Sequence, residues 1–231
     1  MRGGTYGWLA ADHGCIGICW SNTMPNMPAW GGLNRKIGNN PLIMAVPRSN
    51  GEHAMIDCAV SQFSYGKIED CRLRGVQLPV PGGYDTKGEL TTDPTEIEKT
   101  WRVLPMGYWK GSGMALALDM AAALMANGMS GTDMDIQAKG SCTNCCQIFI
   151  AYDPYLFGSK DEIQDMLNRR IDAVKKAHPE REGGSVSYPG ERTLAVREES
   201  MKKGIHVDEA IWKQLCSLAS GDMSTTDIAS K

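Results

Sequence analysis

The chain has 231 residues, 42% of them hydrophobic and 22% charged, with 24 basic against 27 acidic side chains and a formal net charge of −3. That balance is ordinary for a folded domain, and the basic side chains are scattered among acidic ones, which argues against a nucleic-acid surface. No apolar run approaches the roughly 20 residues needed to span a bilayer, and Met-Arg-Gly-Gly-Thr-Tyr-Gly-Trp at the start lacks the apolar core of a secretory leader.

In chain order, Gly3 to Gly7 reads as a turn, and Trp8 to His13 as a short amphipathic helix closed by Gly14. An apolar strand, Cys15 to Trp20, follows at once. A helix running directly into a buried strand is half of an α/β unit whose preceding strand is missing, so the chain is expected to begin inside a fold. Residues 21–41 are rich in Gly, Pro and Asn and read as loop or ligand surface. Two strands, Leu42 to Val46 and Ala54 to Ala59, are joined by a hairpin turn at Ser49-Asn50-Gly51. A loop over 79–94 leads to a helix from Pro94 to about Arg102.

The stretch from Pro105 to Met120 is the most informative: Pro-Met-Gly-Tyr-Trp-Lys-Gly-Ser-Gly-Met-Ala-Leu-Ala-Leu-Asp-Met. Glycines let the backbone turn sharply and approach a ligand. Trp109 offers a flat apolar face, Lys110 a cation, and a helix start can take a negatively charged oxygen. The pattern suits a phosphate- or carboxylate-bearing ligand, and equally a plain loop-to-helix junction. The helix from about Ser112 to Asn127-Gly128 is apolar almost all round and is therefore expected to be buried, with its lone acid, Asp119, needing a partner. After a strand at Gln147–Tyr152 come a charged helix from Lys160 to His178, an exposed strand from Gly183 to Tyr188, a helix opened by Pro189-Gly190-Glu191-Arg192 and capped by Gly204, and a last helix from Val207 to Leu218.

Eight cysteines are present, three of them in the cluster Cys142, Cys145 and Cys146. The four histidines (His13, His53, His178, His206) lack zinc-ligand spacing, so no metal is expected. The cysteines read as reduced thiols of a cytoplasmic protein; a Cys-cluster metal or redox protein is the competing reading.

Several motifs in fixed order resemble the malate/L-lactate dehydrogenase family, which includes ureidoglycolate dehydrogenase and is unrelated to the Rossmann-fold lactate dehydrogenases. They are Gly-Ile-Cys-Trp-Ser-Asn (17–22), Arg-Lys-Ile-Gly-Asn-Asn-Pro-Leu (35–42), Asp57 with Ser61, Pro-Val-Pro-Gly-Gly-Tyr-Asp (79–85), Leu-Pro-Met-Gly-Tyr-Trp-Lys-Gly-Ser-Gly (104–113) and Gln-Ile-Phe-Ile-Ala (147–151). The opening Met-Arg-Gly-Gly and Phe-Ser-Tyr-Gly (63–66) look closest to its 2,3-diketo-L-gulonate reductase branch.

The resemblance implies an α/β fold: a mixed-sheet, non-Rossmann NAD(P)-binding domain over 1–152, then a C-terminal helical segment over 153–231 that would pack with N-terminal helices. It implies an NAD(P)H-dependent reductase of the keto group of a small 2-oxo acid, acting as a homodimer. Malate, lactate, sulfolactate and ureidoglycolate are other substrates at family level. Carried over by position, the dinucleotide contacts His53, Ala54, Met55, Ile56, Asp57, Cys58 and Ala59, then Trp109 and Lys110, then Gly190, Glu191 and Arg192. Lys110 and Arg192 suit pyrophosphate oxygens. Glu191 suits a ribose hydroxyl, which favours NADH over NADPH without excluding the latter. Asn22 is a candidate substrate hydrogen-bond donor, and Asp57 either an orienting acid or a strand-end aspartate satisfying local amides. The proton-donating histidine and the carboxylate-binding arginine of the family pattern have no counterpart here, so the chain is expected to be the C-terminal part of such an enzyme. A catalytically inactive, cofactor-binding or dimerising remnant is the alternative.

Overall fold

The structure is a computed structural model and describes residues 2–137 and 143–221. In chain order it holds α1 (Gly4–Asp12), β1 (Ile16–Ser21), a short pair β2 (Met27–Pro28) and β3 (Arg35–Ile37), β4 (Leu42–Val46), β5 (Ala54–Cys58) and α2 (Tyr65–Leu73). A second short pair, β6 (Gly83–Tyr84) and β7 (Leu90–Thr91), precedes α3 (Pro94–Thr100), α4 (Trp109–Ala126) and α5 (Gly131–Gln137). Then come β8 (Gln147–Tyr152), a 3-10 turn at Pro154–Phe157, α6 (Lys160–Lys175), α7 (Thr193–Lys203) and α8 (Glu209–Ala219). The chain divides into Met1–Gly190 and Glu191–Lys231. Within the first unit α6 is tied to the β4–β5 hairpin, its buried Gln164 donating to Pro47 O and accepting from Ser49 N.

In the first unit four of the strands form a sheet in the order β5-β4-β1-β8, antiparallel at every pairing. The architecture is α/β and non-Rossmann, as the resemblance implies. The hairpin from β4 to β5 is where the Ser49-Asn50-Gly51 turn placed it. Helices cover both faces of β1. Gly17 faces α1, where a Cβ would stand 3.0 Å from that of Ala10. Trp20 faces α4, donating its indole N–H to Leu118 O at 3.2 Å, within a cluster that includes Ala122 and Ile148. A second core gathers Met27, Val60, Ile68, Ile97 and Val103 between the short strand pairs, α2 and α3.

Three expectations are corrected. The Gly3–Gly7 segment is helical and not a turn. Its glycines serve close packing: a Cβ on Gly3 would lie 2.1 Å from Ile43 Cδ1, one on Gly4 2.3 Å from Asp57 Oδ2, and one on Gly7 2.6 Å from Ile43 Cγ2. Local glycine content reads as a turn; contact with the sheet decides for helix. Secondly, α4 is not buried all round. Ala115 and Ala122 are fully buried, whereas Leu116, Met120, Leu124 and Met125 are exposed, Leu124 by 81%. One face packs on β1 and β8, and the opposite face stays open among the described residues. Thirdly, 183–188 forms no strand: Gly184 N closes a turn onto Arg181 O, and Tyr188 is buried against Arg48. Helices α2 and α5 had no counterpart in the sequence reading. The first is opened by Ser64, whose side chain accepts from Lys67 N, a short-range cap that can be found without long-range information.

In the second unit α7 begins after Arg192 and ends at Gly204. Glu198–Lys202 and Glu199–Lys203 pairs line it at i,i+4 spacing. The last helix, α8, carries an apolar stripe of Ile211, Trp212, Leu215 and Leu218.

Candidate functional site

The continuation of β5 positions the Trp109-Lys110 segment. Val60 N donates to Asn39 O at 2.7 Å, Met106 N to Val60 O at 2.9 Å, and Gln62 N to Leu104 O at 2.7 Å. Residues 104–106 are therefore held as an added strip of sheet just before the helix. The chain then turns through Gly107 (φ 60°) and Tyr108 (φ 61°) into α4. A left-handed φ is costly for tyrosine, and the packing around it holds it there. Trp30 meets the Tyr108 ring at 5.2 Å and donates its backbone N–H to Ser112 Oγ at 3.0 Å. Gly111 is required, since a Cβ would stand 2.2 Å from Met106 O. Trp109, 60% exposed, and Lys110, its ammonium 5.8 Å from the Trp109 ring centroid, stand outward in the first turn of α4.

The opposite end of β5 meets Gly190. Met55 N donates to Pro189 O at 2.8 Å. At Gly190 (φ 93°) a Cβ would lie 2.9 Å from His53 O and 3.0 Å from Met55 N, so only glycine lets the chain pass this close. His53 is buried. Its Nδ1 accepts the Arg48 backbone N–H at 3.0 Å, which places the ring proton on Nε2, 2.9 Å from Asp12 Oδ1. Met55 lies within β5, and Val60 two residues beyond its other end. Along β5, Met55 and Asp57 face α1, where Gly7 and Gly4 meet them. On the other face Ile56 is 45% exposed beside Met44 at 43%.

Two candidate positions are used within the fold. Asn22 is fully buried, donating to Asp119 Oδ1 and Met129 O, both at 2.8 Å, and accepting from Cys146 N at 2.7 Å. Asp119 thereby has the partner its burial demanded, and also accepts from Gly131 N at 2.9 Å at the start of α5. Asp57 Oδ2 accepts from Gly4 N at 3.0 Å in the first turn of α1, where a carboxylate is favoured by the helix dipole. Glu191 and Arg192 lie in the second unit, Arg192 as the residue preceding α7. Cys142 lies outside the described residues. Burial pushes the Cys19 and Cys58 thiols up, the latter aided by the Asp57 carboxylate. Among the described residues no three metal-binding side chains gather, and no helix is long and apolar enough to cross a membrane. A cavity of about 380 Å³ opens between α1 and β8, lined by Tyr6, Leu9, Cys19 and Phe149, at the far end of the sheet from β5.

Residues 1–216 match the malate/L-lactate dehydrogenase family. The chain belongs to that family. It is 44% identical over 220 residues to 2,3-diketo-L-gulonate reductase of Citrobacter koseri and 43% identical to that of Klebsiella pneumoniae, with 94% of this chain and 65% of each relative covered. Among solved structures, sulfolactate dehydrogenase from Methanocaldococcus jannaschii superposes with a TM-score of 0.79 at 29% identity, covering 94% of this chain and 62% of that one. A dehydrogenase from Sinorhizobium meliloti gives 0.78 at 27%, covering 94% and 63%. The chain thus spans just under two thirds of these relatives.

Proposed function

We propose that this chain carries the cofactor-binding part of an NAD(P)H-dependent reductase that acts on the keto group of a small 2-oxo acid, 2,3-diketo-L-gulonate, giving 3-dehydro-L-gulonate. The observation that carries the reading is the 43–44% identity to 2,3-diketo-L-gulonate reductases along 94% of the chain. The residues fit a nicotinamide dinucleotide: an exposed cation and flat indole at the start of an 18-residue helix, and a strand whose near end is approached by a residue that tolerates no side chain. A bound dinucleotide supplies the hydride. Lys110 would hold a pyrophosphate oxygen by a charge-assisted hydrogen bond, Trp109 would cover an apolar ring face, and the segment from His53 to Ala59, which contains β5, would form the floor. Gly190 lies against that strand; of the second unit's residues, Arg192 is assigned by likeness to the family to the pyrophosphate and Glu191 to a ribose hydroxyl, which favours NADH. The enzyme works in the cytoplasm as a homodimer.

Lys110→Ala is expected to weaken NADH binding by about 1–3 kcal/mol, roughly 5- to 150-fold in Kd. A fluorescence titration with unchanged affinity removes Lys110 from the site.

The reading is tested by following NADH absorbance with 2,3-diketo-L-gulonate, oxaloacetate and pyruvate in turn. Consumption fastest with the diketo acid is expected; consumption only with pyruvate or oxaloacetate overturns the substrate assignment. A second reading, a scaffold that binds the dinucleotide without turning over, is favoured by one observation. Both ring nitrogens of the buried His53 are engaged within the fold, by Arg48 N and Asp12. NADH binding without consumption of any oxo acid selects it.

A further inference from the structure

The Arg48 side chain takes no part in the readings above, yet it joins three segments close to the point where β5 meets Gly190. Its side chain is only 9% exposed. Nη1 donates to Glu52 O at 3.0 Å and to Tyr188 Oη at 3.1 Å, and Nη2 to Asn168 Oδ1 at 3.0 Å. The guanidinium lies 5.5 Å from the centroid of the Tyr188 ring. Its backbone N–H meanwhile holds the His53 ring. Tyr188, 6% exposed, directly precedes Pro189 and Gly190, the residues that lie on β5.

We infer that Arg48 is a positioning residue for the dinucleotide site: through Tyr188 it holds the Pro189-Gly190 backbone against β5. The inference rests on the proposed dinucleotide reading. A buried cation is expensive unless its hydrogens find acceptors. Here the Glu52 carboxylate pairs the charge at 3.5 Å, and Nε has no partner among the described residues. The two terminal nitrogens find acceptors in the β4–β5 hairpin, in α6 and in the segment entering Gly190, where Tyr188 Oη also donates to Glu52 O at 3.4 Å. These bonds tie the three together. The strip it secures is slight. The contact of Pro189 with β5 is a single backbone hydrogen bond, Met55 N to Pro189 O, and one such bond contributes only about 0.5–1.5 kcal/mol. A fork of donors with fixed geometry suits the task better than a flexible ammonium. Loosening the strip lowers the fraction of molecules in the binding-competent shape, and the apparent Kd rises in proportion to that loss.

Tyr188→Phe removes the hydroxyl and keeps the ring; Arg48→Lys keeps the charge and removes the fork. Each is made in the full chain and compared with the unaltered protein by NADH fluorescence titration, thermal melting and hydrogen exchange at the Met55 amide. The expected result for Tyr188→Phe is a Kd raised about five- to tenfold and faster exchange at Met55, with melting temperature and exchange in the rest of the sheet unchanged. Arg48→Lys should show the larger change in Kd, with the faster exchange again greatest at Met55 and not spread through the sheet. An unchanged Kd in both variants, beside an unaltered protein that binds, overturns the inference. So does a Kd change that merely accompanies a lowered melting temperature and faster exchange throughout the sheet, since that marks general destabilisation. If the unaltered protein binds no NADH, the dinucleotide reading itself falls and this inference with it.

Discussion

Gly111→Ala is expected to destabilise the first unit by about 3 kcal/mol and to abolish measurable NADH binding at concentrations that saturate the unaltered protein. In an unconstrained helix the same change would stabilise, because glycine is roughly 0.5–1 kcal/mol worse than alanine there. At Gly111 the new Cβ falls 2.2 Å from Met106 O and 2.9 Å from Met106 N. Both are backbone atoms of a strip already bonded to Val60, so neither can swing aside as a side chain would. Forced overpacking of this kind typically costs 1–3 kcal/mol, and here it must also displace the turn that carries Tyr108, Trp109 and Lys110. Two residues on, Gly113 is exposed, with nothing within 4 Å of the position a Cβ would take. Gly113→Ala should therefore raise stability by about 0.5–1 kcal/mol. Opposite signs at positions two apart on one helix, read by urea denaturation, check the close approach of loop and helix; equal effects would contradict it.

Asp119→Ala should cost about 2–4 kcal/mol in the same denaturation measurement. Asp119 accepts from the fully buried Asn22 and from Gly131 N. Truncation leaves two donors without their acceptor, and each such loss costs about 1–3 kcal/mol. Asp119→Asn keeps one acceptor oxygen and should recover part of the loss. Asn22 also joins β1 to the approach of β8 through Cys146 N and Met129 O, so the damage should spread to the sheet. A near-neutral Asp119→Ala would mean that this network is replaceable by water.

The sequence carried the hairpin of β4 and β5, the helix boundary at Asn127-Gly128 and the need of Asp119 for a partner. Each depends on neighbours in the chain: an Asn-Gly turn, a left-handed cap at Asn127, one acid in an apolar helix. The same short range misled at Gly3–Gly7, where glycines that read as a turn allow a helix to touch Ile43 and Asp57. It misled at α4 too, since composition marks a helix as apolar but not which of its faces is covered. For the candidate site, motif likeness named the strand, the Trp-Lys pair and the Gly190 segment, with Asn22 and Asp57 as lesser candidates. The fold decided that Gly190 lies on β5 at one end and that the strip before Trp109 is held at the other. It also decided that Asn22 serves a buried network and that Arg48 reaches Tyr188 across 140 residues. Local pattern and turn chemistry are properties of consecutive residues, whereas burial, close approach and the satisfaction of buried charge arise only when distant segments meet.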